Sequence, residues 1–135
     1  MYCFSPFLLF FALLNCSPST DSLTVCFLRG TLQRGIIIAN GAQAVIEHNT
    51  VFGNGLGGIV VDGATSAATI SGNDVFDGKL FGVTTINGGK SIVSGNDIYG
   101  NSTACVLVHG PGSRCSLVKN HIHHGRRDGV LVFDG

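Results

Sequence analysis

The chain repeats one six-residue pattern, found in Asn49-Thr-Val-Phe-Gly-Asn54, Asn73-Asp-Val-Phe-Asp-Gly78 and Asn96-Asp-Ile-Tyr-Gly-Asn101. Each copy has asparagine first, a β-branched aliphatic third, an aromatic fourth and a glycine in one of the last two positions. The asparagines follow one another at 24 and 23 residues, and Asn120 continues the series 24 residues later. Self-similarity at a nearly fixed period indicates a repeat architecture.

Other positions of the repeat also keep their chemical character. A β-branched aliphatic follows each asparagine by two residues: Val51, Val75, Ile98 and Ile122. Another aliphatic precedes each asparagine by three residues: Ile46, Ile70, Val93 and Leu117. A small residue precedes it by five: Ala44, Ala68, Ser91 and Cys115. A further strand opens with a glycine–aliphatic pair, with one cysteine variant: Gly35-Ile36, Gly58-Ile59, Gly82-Val83, Cys105-Val106 and Gly129-Val130. A turn glycine closes that strand: Gly41, Gly63, Gly88, Gly110 and Gly135.

This period and its internal alternation restrict the fold. Short segments such as Gly58-Ile-Val-Val-Asp62 predict strands with one buried face. No repeat has room for a helix and none shows the leucine-rich pattern, so helical arrays and leucine-rich repeats are excluded. The remaining solution is an all-β, single-stranded parallel β-helix over residues 35–135, with about four coils stacked ~4.8 Å apart. Parallel crossovers strongly prefer the right hand, which predicts a right-handed solenoid.

The composition agrees with many short strands joined by tight turns. Of 135 residues, 20 are glycine and one is glutamate, whereas helical proteins are rich in helix formers. Charged residues make up 12% and balance to zero net charge, which argues against a strongly basic nucleic-acid binder. A hydrophobic fraction of 44% is too high for intrinsic disorder. We therefore expect a folded domain with no nucleic-acid partner.

The asparagine column has a structural explanation. An inward asparagine at the same corner of every coil can form hydrogen bonds with its counterparts above and below. Asparagine also tolerates the left-handed backbone that a tight corner requires. We therefore assign these asparagines to the scaffold and not to catalysis.

The N-terminal part of the chain departs from the repeat. Residues 1–19 contain the apolar run FLLFFALL, which suits the core of a signal peptide but is too short to span a bilayer. No basic residue precedes this run and no good cleavage motif follows it, so a signal peptide and a gene-model artefact remain alternatives. We expect residues 1–19 to add no column to the stack of coils. Residues 20–34 fit the register as a degenerate coil or cap, with Leu23 and Leu28 at aliphatic positions. The repeats of residues 35–135 stop inside a coil, which predicts a fragment of a longer solenoid.

The five cysteines do not suggest a disulfide framework. Their number is odd, and the sequence contains no Cys-x-x-Cys pair, whereas such frameworks use an even and dense set. We interpret them mostly as small buried hydrophobic residues.

The residues directly after the asparagines point outward and form the first candidate site. They are Thr50, Asp74, Asp97 and His121. Asp74 and Asp97, stacked ~4.8 Å apart, could act as nucleophile and acid of a retaining glycosidase, with His121 beside them. They could also hold a hard cation such as Ca²⁺. The structural alternative, which we favour, is that they are solvated groups bonded to local backbone amides.

A second outward column holds the rings of Phe52, Phe76, Tyr99 and His123. These rings could stack on sugars or on a peptide, or they could stack on one another and stabilise the corner. A dense polar cluster follows at the C-terminal end: His121, His123, His124, Arg126, Arg127 and Asp128. From the two sets we predict a binding surface of six residues: Phe76, Tyr99, His121, His123, Arg126 and Arg127.

Two of these histidines could also ligate a metal. His121 and His123 share one face of a strand, which suits two ligands. The sequence names no third ligand at a matching position. We therefore predict no metal site and no cofactor.

The repeat N-x-[IV]-[FY]-x-[GN] resembles the parallel β-helix repeats of the pectin-lyase-like superfamily over residues 35–135. The segment from Lys119 to Gly135 also resembles the β-helix region of F-box-only ubiquitin-ligase adaptors, where Asn-x-Ile-His/Phe-x-Gly and Asp-Gly recur. This second resemblance implies a substrate-recognition solenoid with a protein partner and an intracellular location, whereas a real signal peptide would imply secretion. The sequence shows neither an F-box nor a cysteine-rich zinc-binding domain, so recruitment of a ligase is not implied.

We predict a β-helix recognition module that binds protein and has no enzymatic role. The catalytic signatures of galacturonan hydrolases, Asn-Thr-Asp, Gly-His-Gly and Arg-Ile-Lys, are missing, and His109 lies in Val-His-Gly. The alternative is a carbohydrate-active enzyme of the same fold, either a polysaccharide lyase or a glycoside hydrolase, that acts on a polysaccharide through Asp74, Asp97 and His121. We expect no membrane span in either case.

Overall fold

The computed structural model describes residues 34–134 in full and, before them, the backbone of three short strands. The strands of the described parts are β1 (Ala12–Leu14), β2 (Asp21–Thr24), β3 (Phe27–Arg29), β4 (Arg34–Ile38), β5 (Gln43–Glu47), β6 (Thr50–Phe52), β7 (Gly57–Asp62), β8 (Ala67–Ser71), β9 (Asp74–Phe76), β10 (Phe81–Ile86), β11 (Lys90–Ser94), β12 (Asp97–Tyr99), β13 (Ala104–His109), β14 (Arg114–Val118), β15 (His121–His123) and β16 (Asp128–Phe133). Across these described residues there is no helix, and so none long and apolar enough to cross a membrane.

Each strand pairs with the strands three places before and after it in the chain, and all of these pairings are parallel. The first sheet has the order β1-β4-β7-β10-β13-β16, the second β14-β11-β8-β5-β2 and the third β15-β12-β9-β6-β3. The chain therefore winds through three sheets per coil and then stacks the next coil on the last. This confirms the predicted parallel β-helix, with about four coils across residues 34–134.

The interior contains the columns that the sequence predicted. Ile46, Ile70 and Val93 are fully buried, as are Val51, Val75 and Ile98 at the centres of three-residue strands. In the last coil Leu117 is 37% exposed, because its strand β14 has one described neighbour, β11. Ile122 is partly buried and packs against the same core. The alternation of hydrophobic residues therefore predicted correctly which positions are buried in the core.

The asparagine column forms a continuous hydrogen-bonded ladder. Asn49 Nδ2 donates to Asn73 Oδ1 at 3.1 Å, Asn73 Nδ2 to Asn96 Oδ1 at 2.9 Å, and Asn96 Nδ2 to Asn120 Oδ1 at 2.9 Å. Each acceptor oxygen also receives the backbone N–H of the asparagine below. The predicted ladder is confirmed, and it satisfies amides that would otherwise be buried without partners.

The left-handed backbone at this corner lies one residue earlier than expected. The asparagines themselves do not have positive φ; the residues before them do: His48, Gly72, Gly95 and Lys119, with φ between 52° and 62°. The preceding residue therefore makes the sharp turn, and the asparagine directs both its backbone N–H and its side chain along the ladder. The turn glycines of the first sheet behave as predicted, with positive φ at Gly41, Gly63, Gly88 and Gly110.

A second inward corner explains the one cysteine variant in the glycine–aliphatic pairs. A Cβ placed on Gly82 would lie 2.8 Å from Asn101 Nδ2, so glycine there leaves room for a buried asparagine. One coil later Cys105 replaces the glycine, and Gly125 replaces the asparagine; a Cβ on Gly125 would lie 3.2 Å from Cys105 Sγ. Each such pair of positions therefore holds at most one side chain, from either end of the coil.

The two cysteines in the described region are both free thiols. Cys105 is fully buried and Cys115 partly buried, which agrees with the interpretation of cysteines as small hydrophobic residues. Burial is the main cause that raises the pKa of both thiols, and hydrogen bonds partly oppose it. Cys3, Cys16 and Cys26 lie outside the described residues.

The stack extends further toward the N-terminus than the sequence predicted. Strand β1 pairs with β4 and aligns Ala12 with Ile36, although we expected residues 1–19 to add no column. That expectation is wrong for these three residues, because Ala12 lies one period before Ile36 and falls in register. Strands β2 and β3 continue the other two sheets, with Leu23 opposite Ile46 and Leu28 opposite Val51.

Candidate functional site

The outer side of the third sheet carries the two columns that the sequence singled out. Each strand of this sheet has three residues, and its middle residue is inward, so the first and third residues project outward together. We call this surface the short-strand face. It is defined by Thr50, Asp74, Asp97 and His121 in one column and Phe52, Phe76, Tyr99 and His123 in the other.

The aromatic column is a stack of nearly parallel rings. Phe52 and Phe76 have centroids 5.0 Å apart, Phe76 and Tyr99 4.8 Å, and Tyr99 and His123 4.9 Å, with interplanar angles of 4–12°. The in-register stacking of the coils enforces this spacing. Because the faces of Phe76 and Tyr99 contact neighbouring rings, a bound partner would meet the ring edges.

Asp97 joins the two columns at their C-terminal end. Its Oδ1 lies 2.8 Å from His123 Nε2 and 3.3 Å from His121 Nδ1, both in the next coil. The side chains of His121, Asp97 and His123 are 74%, 42% and 26% exposed. The imidazoles of His121 and His123 also stack, with centroids 4.1 Å apart. The most enclosed group of the three is therefore His123, which is held between Tyr99 and Asp97.

His124 adds a fourth group from the turn after β15. Its backbone has a φ of 49°, and its Nδ1 is in hydrogen-bond contact with Nδ1 of His123. The two rings meet edge to face. Both ring nitrogens of His123 are thus engaged, one by His124 and the other by Asp97.

The electrostatic environment of the face is acidic around Tyr99. Burial is the largest cause that raises the pKa of this tyrosine above 10.0, and the nearby carboxylates of Asp74, Asp97 and Asp77 raise it further. A negative field of this kind favours cationic groups over anionic ones.

The remaining predicted site residues lie at the edges of the cluster. Asp74 is exposed and sits beside Asp97 in the β9–β12 pairing, so the predicted carboxylate column exists. Asp97 directs its carboxylate to the histidines of the following coil. Arg126 and Arg127 are exposed in the turn before β16, and the backbone of Arg126 is fixed by a hydrogen bond to Asn101 O.

The sequence pattern named no third ligand for the two histidines, whereas the structure places Asp97 beside both. Asp97 belongs to the first column of one coil, whereas His123 belongs to the second column of the next. The contact is diagonal across the sheet, and a search along single columns misses it. The signal was the strand spacing itself, since diagonal neighbours in a sheet are within reach of long side chains.

The second sheet carries a shallow groove that the sequence analysis did not predict. It has a volume of about 380 Å³ and is lined by Ile92, Lys90, Arg114 and smaller residues of β8, β11 and β14. Ile92 is 53% exposed. The groove lies on a different side of the solenoid from the histidine cluster.

Three parallel sheets wound about one axis, with an internal asparagine ladder, define a β-solenoid of the parallel β-helix class. The family model described as a right-handed beta helix region matches residues 12–135, and the chain belongs to that family. The predicted right hand is thereby confirmed. No curated protein and no solved structure gives a significant match to the chain.

Proposed function

We propose that this β-helix is a recognition module that binds a protein partner through the short-strand face. The contact residues are those predicted from the sequence: Phe76, Tyr99, His121, His123, Arg126 and Arg127. The observation that carries the proposal is the stacked aromatic column, which presents ring edges beside a polar column on a rigid surface. Rigid side chains lose little conformational entropy on binding, so such a surface is prepared for recognition.

The residue types also fit a protein interface. Aromatic residues and arginine are enriched among the residues that contribute most to protein–protein binding. The carboxylates around Tyr99 favour basic side chains of a partner there, and Arg126 and Arg127 favour an acidic group beyond the histidines. The resemblance of residues 119–135 to F-box-only adaptors supports a protein partner over a polysaccharide.

The test is a charge reversal on this face that leaves the aromatic stack intact. The face variant carries Asp74→Lys, Arg126→Glu and Arg127→Glu, and the matched control carries Gln43→Lys and Arg114→Glu on the second sheet. In affinity capture, we expect one partner protein to be enriched at least tenfold by the wild type and by the control, relative to the face variant. Once purified, that partner should bind the wild type and the control with similar affinity and the face variant more weakly. Equal binding by the face variant would refute the proposal.

A second candidate function is the carbohydrate-active enzyme. The observation that favours it is the 2.8 Å contact between His123 Nε2 and Asp97 Oδ1, because a carboxylate–imidazole pair can act as a general base. Asp74 on the neighbouring strand would be the second carboxylate. Cleavage of acidic polysaccharides that disappears in Asp97→Asn would establish this function and displace the first.

A further inference from the structure

Three ligand-type groups converge at the C-terminal end of the short-strand face. One ligand atom each from Asp97, His121 and His123 lies within 4.8 Å of the other two. The Asp97 carboxylate is the common neighbour, at 2.8 Å from one imidazole nitrogen and 3.3 Å from the other. The same three residues also lie within 26 residues of chain but in two successive coils, so the stacking of coils assembles them.

The spacing fits a small tetrahedral ion after modest adjustment. Metal–ligand bonds of about 2.0–2.2 Å place tetrahedral donors about 3.3 Å apart. The Asp97–His121 separation already has this value. The Asp97–His123 contact must lengthen by roughly half an ångström, as a metal between the two groups would require. His121, with its side chain largely exposed, can rotate to close any remaining gap.

The surroundings of His123 match those of a metal-binding histidine. Such histidines usually donate their second ring N–H to another group, which fixes the tautomer and orients the ring. Here Nδ1 of His123 faces Nδ1 of His124, and Tyr99 stacks on the ring at 4.9 Å. In the metal-free chain Nε2 donates its proton to the Asp97 carboxylate, which can only accept. An ion at Nε2 takes the place of this proton, which moves through solvent to Nδ1, and the Nδ1–H then donates to His124.

We propose that Asp97, His121 and His123 bind a divalent transition-metal ion, with Zn²⁺ as the preferred occupant. Two imidazoles and one carboxylate select zinc and its neighbours over Ca²⁺ and Mg²⁺, which prefer all-oxygen sites. Three protein ligands on an exposed face leave a coordination position open to water or to a donor from another molecule. The site does not depend on the proposed recognition function, and the two can fail separately.

The experiment is a calorimetric titration of the full chain with Zn²⁺, repeated with Co²⁺ for its visible absorption. We expect one saturable site per chain. His123→Phe removes the ligand and retains the ring stack, because Phe52 and Phe76 occupy the same column. Asp97→Asn removes the charged ligand with little change in shape. Each variant should weaken binding by about ten- to a hundredfold or more.

The matched control removes a histidine outside the cluster. His48 is exposed and has a φ of 55°, and glycine occupies its position in the next two coils, so His48→Gly should fold and bind Zn²⁺ within about twofold of the wild type. His124→Gly, at a position where Gly53 and Gly100 stand in other coils, tests the positioning role. It should weaken binding about tenfold and shift the Co²⁺ absorption while keeping one site.

Circular dichroism of each variant establishes that the β-helix is intact. Zinc affinity that is unchanged in folded His123→Phe, or lowered equally in His48→Gly, overturns the proposal. So does a wild-type chain with no saturable zinc site at millimolar concentration. An effect of His123→Phe and Asp97→Asn together with none of His124→Gly supports the metal site and refutes the positioning role of His124.

Discussion

Adjacent residues at one corner of the solenoid follow opposite rules. The inward position is asparagine in all four coils, whereas the outward position beside it changes from Thr50 to Asp74, Asp97 and His121. The inward Asn96 both receives and donates hydrogen bonds in its column, so its identity is set by the coils on either side. The outward Asp97 contacts two residues of one coil. Chemistry can therefore change on the outer column without rebuilding the interior.

Replacement of Asn96 should break this contrast most severely. In Asn96→Ala the backbone N–H of Asn73 loses its acceptor, and the side chain of Asn73 and the carbonyl of Ile70 each lose one hydrogen bond. At about 1–3 kcal/mol for each buried group left unsatisfied, we expect the free energy of unfolding to fall by about 3–5 kcal/mol. Urea denaturation followed by circular dichroism measures it. The neighbouring Asp97→Ala should cost no more than about 1 kcal/mol; similar losses for both would contradict the contrast.

The corner shared by Cys105 and Gly125 tests whether inward positions vary only in compensated pairs. In Gly125→Asn the new side chain meets Cys105 Sγ and the carbonyl oxygen of Asp128, and we expect a loss of about 2–3 kcal/mol. Adding Cys105→Gly recreates the arrangement of Gly82 with Asn101. The double variant should recover about 1 kcal/mol or more in a double-mutant cycle. Strictly additive losses would show that the two positions do not share one space.

The aromatic column tests how much of the outer surface is structural. Phe76 stacks on a ring at each side, so Phe76→Leu should lower the free energy of unfolding by about 1–2 kcal/mol. Phe76→Tyr is the control, since Tyr99 stands in the same column, and it should remain within about 0.5 kcal/mol. The midpoint of urea unfolding distinguishes them. A stable Phe76→Leu would leave recognition as the main role of these rings.

The smallest expected effect is electrostatic. Asp74→Asn removes one of the charges that raise the pKa of Tyr99, so this pKa should move down toward 10.0 while burial keeps it above that value. Ultraviolet absorbance titration measures it in a Tyr2→Phe background, where Tyr99 is the single tyrosine. Asp62→Asn, on the first sheet, should leave it unchanged. An unaltered pKa in Asp74→Asn would show that the outer columns are too well solvated to interact.

The sequence predicted the fold because each coil repeats the same burial problem. Val51, Val75 and Ile98 lie where the alternation put them, and the asparagine ladder forms as its spacing required. Contacts between different columns were not predicted. The Asp97–His123 contact is diagonal, and the exchange at Gly125 compensates a residue 20 positions earlier. These are relations between columns, whereas the sequence pattern reveals columns one at a time.

The exclusively parallel, in-register pairing also determines how the solenoid would respond to mechanical tension. Backbone hydrogen bonds between coils run along the solenoid axis, so a pull on one chain end detaches the coils one after another from that end. Each rupture frees 23 or 24 residues, or about 80 Å of extended chain. The molecule would lengthen at low force in nearly equal steps, each corresponding to the release of one coil.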